Sequence, residues 1–68
     1  MQNPLAAVMK DAHLSSEELA LKIREHLLAS LRGDQQKVNR LRDEALSAFY
    51  AVISANEQAA HAIRKLGG

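Results

Sequence analysis

The sequence predicts an all-α protein, an antiparallel helical hairpin with a short N-terminal helix, dimerising into a helical bundle. Three observations predict it. No Pro or Gly occurs between Asp34 and Leu66, and apolar residues recur there at spacings of three and four. A helix-start signature stands at Leu14 to Glu18. Gly33-Asp34 then leaves too little chain between the two helical stretches for anything but a tight αα turn.

The N-terminal arm, residues 1–13, holds Asn3-Pro4, a capping residue followed by proline at the first helical position. A short helix over 4–12 follows, with Leu5, Val8, Met9 and Ala12 on one face. A helix this short is marginal alone, so its order depends on docking.

Ser15 and Glu18 have capping-box spacing, and Leu14 can staple onto Leu19 one turn in. The next helix is therefore expected over 16–32, ending on Gly33 as a left-handed cap. Leu19, Ile23, Leu27 and Leu31 make its main stripe, and Leu21 and Leu28 a second row almost opposite. A helix with two apolar rows wants two partners.

Asp34 is the expected N-cap of the long helix, 35–66. Val38, Leu41, Ala45, Phe49, Val52, Asn56, Ala59, Ile63 and Leu66 form its seam, expected to serve the core, a dimer, or both. Two consecutive steps of four between Leu41 and Phe49 read as a stutter. Asn56 either fixes register within the seam or reaches water at its edge. Gly67-Gly68 closes the helix as a cap and a floppy tail.

Counting outward from Gly33 brings Ser16 opposite Ala51, so Val52 to Leu66 overhang by roughly 20 Å. Val52, Ile63 and Leu66 are expected to be covered by the arm, by a second subunit, or by both. At 68 residues the chain is one domain. It is marginal alone without a staple. It has no cysteine, so oligomerisation is the expected source of extra burial. A two-fold dimer making a four-helix bundle fits.

Composition narrows function by exclusion. Nine basic and eight acidic residues leave a formal charge of +1, with no bulk attraction to nucleic acid or anionic membrane. No apolar run is long enough to span a bilayer and no leader pattern opens the chain, so the expected location is cytoplasmic. His13, His26 and His61 share no ligand spacing, and the acidic pairs Glu17-Glu18 and Asp43-Glu44 diverge by about 100° on a helix. Hence no enzyme, metal or cofactor is expected. The run Leu14 to Ile23 resembles the opening of helix-turn-helix repressors, but the glycine turn that motif needs is missing.

Leu21, Leu28, Tyr50 and Ile53 are the expected partner-binding residues, Tyr50 because a boundary tyrosine buries its ring while its hydroxyl finds a partner. The expectation is a small interaction module that binds a larger protein. It would inhibit a regulator, as an anti-activator does, or escort a subunit, in the manner of small accessory proteins of bacteria and their phages. The alternative is a dimeric nucleic-acid-binding regulator, using Arg32, Lys37, Arg40 and Arg42 around the turn as an anion site.

Overall fold

The computed structural model describes residues 4–67. Two helices, α1 (Pro4–Arg32) and α2 (Gln35–Gly67), pack against each other as an antiparallel hairpin, a rod of 51 × 18 × 13 Å. Met1, Gln2, the capping residue Asn3 and the tail residue Gly68 lie outside the described residues.

The turn is built by two residues with separate tasks. Gly33 adopts φ 74°, the left-handed conformation that side chains disfavour. Its amide donates to the Ser30 carbonyl at 3.1 Å, and the Asp34 amide donates to the Ala29 carbonyl at 3.3 Å. These two bonds close α1 as a Schellman motif. Asp34 also caps α2. Its Oδ1 accepts from the Lys37 amide at 3.2 Å and its carbonyl from the Val38 amide at 2.9 Å. One residue ends one helix and starts the next.

No break separates residues 4–12 from 16–32; α1 runs straight through the expected boundary. The capping signature is not used as a cap. The Ser16 hydroxyl donates back to the Ala12 carbonyl at 3.0 Å, an in-helix bond that removes the need for a start at this point. His13 and Glu17 pair across the same turn at 3.0 Å. What favours continuity is the overhang. A straight α1 lays Leu5, Val8 and Ala12, all half-buried, along the far half of α2.

The seam differs from the expected one in a consistent way. On α2 it runs Val38, Leu41, Ala45, Ala48, Val52, Ala55, Ala59, Ala62, all buried or half-buried. The steps alternate three and four throughout, so no stutter exists. On α1 it runs Leu5, Val8, Ala12, Ser15, Leu19, Lys22, His26, Ala29 in the same alternation. Of the expected seam, Leu41 and Ala59 are buried and Val38, Ala45 and Val52 half-buried. Phe49, Asn56, Ile63 and Leu66 are exposed, Leu66 by 70%. On α1 Leu19 alone of its expected stripe is half-buried, and Ile23, Leu27 and Leu31 are exposed.

The reason is size. A two-residue turn brings the helices together at once, and alanine is the side chain that lets two backbones approach. The core among the described residues is Ala29, Leu41, Ala48 and Ala59, with Leu41 the large side chain that is fully buried. Most bulky apolar residues are left outside the seam.

Candidate functional site

Each helix sorts its residues by one rule. Successive residues are 100° apart, so the residue after a seam position falls on one flank and the residue before it on the other. Because the helices are antiparallel, the two "after" flanks share one side of the hairpin. The grooves on the surface follow this division.

The side made by residues before the seam is polar on α2. An open hollow there is lined by Glu18, Lys22, Arg40, Asp43, Glu44, Ser47 and Ala48. Lys22 reaches out of the seam and donates to Glu44 Oε1 at 2.7 Å, with Glu18 at 4.0 Å and Arg40 joining Glu44 at 3.5 Å. The hydrogen bond from Lys22 holds the Glu44 carboxyl below its ordinary range, and the same bond raises the Lys22 ammonium. Both shifts favour the charged pair. It is a cross-helix clasp, with a lysine held protonated and a carboxylate held ionised, neither poised to exchange a proton near neutral pH.

The side made by residues after the seam is apolar. A groove there is lined by Leu19, Ile23, His26, Arg42, Ala45, Leu46 and Phe49. Ile53 and Ile63 continue it along α2, and Leu27 along α1, since each directly follows a seam residue. Tyr50, 67% exposed, sits at its outer border with its ring centroid 6.2 Å from that of Phe49. The groove was not foreseen as such. Its signal was available in the positions of Leu46, Phe49, Ile53 and Ile63 relative to an alanine seam rather than a leucine one.

The four expected partner residues divide between two places. Tyr50 and Ile53 border the apolar groove. Leu21 precedes Lys22, and so lies about 200° from Ile23 on the far flank of α1. There Leu14, Leu21 and Leu28, all exposed, make a row at seven-residue spacing. The hairpin therefore carries two apolar surfaces.

The basic residues of the turn are also divided. Arg40 lines the polar side and Arg42 the apolar groove, where it lies 3.6 Å from Asp43. Lys37 and Arg40 share a hollow with Asp34 and Gln36. His26 faces the groove, His61 is exposed, and no cluster of metal-binding side chains occurs among the described residues. No helix is long and apolar enough to cross a membrane. Comparison with family models, curated proteins and solved structures gave no match.

Proposed function

We propose that this hairpin is a non-enzymatic interaction module that acts as a homodimer, binding a larger protein and inhibiting or escorting it. One observation carries the reading. The intramolecular seam is filled by alanines, while Leu14, Leu21, Leu28, Leu46, Phe49, Tyr50, Ile53 and Ile63 remain exposed. Large apolar patches on a chain this small mark surfaces that are covered in use. Two such surfaces suit two partners. The row on α1 sets three leucines two turns apart, with Glu18 and Glu25 between them, a spacing fit for a groove on a larger protein in the manner of helix-in-groove recognition.

The test is capture from host lysate at moderate salt, with and without nuclease, using the tagged native chain and a Leu21→Glu/Leu28→Glu variant. The expected result is one dominant protein that survives nuclease and is lost with the variant. Capture that needs nucleic acid, and weakens steeply with salt, would instead assign binding to Arg32, Lys37, Arg40 and Arg42.

A further inference from the structure

We propose that the apolar groove side is covered by the same side of a second copy, and that the two hairpins lie with their turns at the same end. The inference rests on the dimeric reading above and adds the surface and the arrangement. Three observations carry it.

The first is area. A folded monomer of this mass, 7.5 kDa, exposes about 4,200 Å² by the usual scaling. This chain exposes 5355 Å². The excess of roughly 1,100 Å² per chain gives about 2,200 Å² for a pair, which falls in the range of permanent homodimers.

The second is the character of the surface. Ile23, Leu27, Leu46, Phe49, Ile53 and Ile63 belong to both helices and lie on one side, so that side is two helices wide. A partner two helices wide completes a four-helix bundle. Arg42 is the charged residue that lines the groove. A surface with so little charge meets its own copy without repulsion.

The third is the charge along the border. One step beyond the apolar flank, on the face turned away from the seam, α1 carries Lys10, Glu17 and Arg24, and α2 carries Asp43, Tyr50 and Glu57, all exposed; Asp43 stands at the boundary and also lines the polar hollow. The Lys22–Glu44 bond sets the register of the hairpin. Counting outward from Gly33-Asp34, Lys10 is level with Glu57, Glu17 with Tyr50, and Arg24 with Asp43. A two-fold axis along the rod keeps these levels and lays α1 over the partner's α2. Lys10 then meets the partner's Glu57, Arg24 meets the partner's Asp43, and the Tyr50 hydroxyl meets the partner's Glu17. Turning the second copy end for end lays α1 over α1 and α2 over α2. Lys10 then meets the partner's Arg24, Glu17 meets the partner's Glu17, and Asp43 meets the partner's Glu57. Each pair of charged border residues in that arrangement is like-charged, and Tyr50 meets its own copy. Complementary borders select the same-end dimer.

The chain contains no cysteine, so one introduced thiol reports on one place. Sedimentation of the full chain at micromolar concentration is expected to give twice the 7.5 kDa chain mass. Phe49→Glu/Ile53→Glu should abolish the dimer, and Leu21→Glu should leave it intact. If the charged variant loses helix by circular dichroism, spin labels on Gln36→Cys, next to the turn, still decide. The expected separation is comparable with the 18 Å width of the rod, whereas the end-for-end dimer gives a value near its 51 Å length. Arg24→Asp should weaken the dimer several-fold, and adding Asp43→Arg should restore it. A monomer at all concentrations, a dimer broken by Leu21→Glu but not by Phe49→Glu/Ile53→Glu, or a separation near the rod length would overturn the proposal. A monomer that still captures a larger protein, and loses it with Phe49→Glu/Ile53→Glu, would leave the interaction reading standing with a different occupant on this side.

Discussion

Lys22 Nζ donates to Glu44 Oε1 at 2.7 Å, a side-chain hydrogen bond that ties α1 to α2 and leaves from within the apolar seam. A lysine at a seam position is costly unless its ammonium escapes to an acceptor, and its aliphatic stem can pack on the way out. Glu44, directly before the seam residue Ala45, is placed to receive it. The pair therefore fixes both the relative height of the helices and which side is polar.

The pair makes stability depend on pH at both extremes. Glu44 titrates below its ordinary 4.5 when folded, so its contribution is present above that value and is lost as pH falls through the lowered one. Lys22 titrates above its ordinary 10.5, so its contribution is complete below that value and is lost as pH rises through the raised one. Melting temperature should be flat between these limits as far as this pair is concerned. Melts of Glu44→Gln against the native chain should show a lower plateau and a shallower acid limb. An unchanged plateau would mean that the clasp adds nothing.

Gly33→Ala tests the turn. A Cβ at this position meets nothing within 4 Å, so any cost comes from the φ of 74° rather than from a clash. The expected loss is about 1 kcal/mol, read by urea denaturation. A substantially larger loss would show that the space around the turn is tighter than it looks.

Leu41→Ala tests the core. Leu41 is 2% exposed and is the large side chain that is fully buried. The expected loss is about 2–5 kcal/mol. Leu31→Ala removes the same atoms from a residue 76% exposed and should change stability by less than about 0.5 kcal/mol. Equal effects at the two positions would contradict the seam.

Ala48→Leu tests the same seam from the opposite direction. In a seam running through Phe49 the substitution would fall beside the contact and be nearly neutral. In the seam observed here it forces a large side chain between the helices at a buried position, at a cost of about 1–3 kcal/mol. Equilibrium unfolding distinguishes the two.

These substitutions mark where the sequence was legible and where it was not. Gly33 and Asp34 announced the turn, because left-handed backbone and an N-cap each need a particular residue. The period of three and four announced the helices. Which stripe faces inward was harder to read, because hydrophobicity favours the larger residue. Phe49 beside Ala48, and Ile63 beside Ala62, look like the core by transfer energy. The tight turn instead favours the residue that lets the backbones approach. Ser15 and Glu18 misled for a related reason. A capping box states a local preference, and tertiary cover for the far half of α2 outweighs it. The apolar groove was hidden by the same substitution of one stripe for its neighbour.

The unused signature at Leu14 to Glu18 has a consequence for how the hairpin opens. Strand-like fraying of a helix pair from its free ends ordinarily has no reason to stop before the turn. Here, once residues 4–12 peel away from α2, Ser15 and Glu18 are released to cap what remains, and Leu14 to cover Leu19. Opening is thereby given a step rather than a slope. Amide exchange should fall into two blocks on α1, fast before Ser15 and slow from Leu19 to Ala29, with a matching boundary on α2 near Val52.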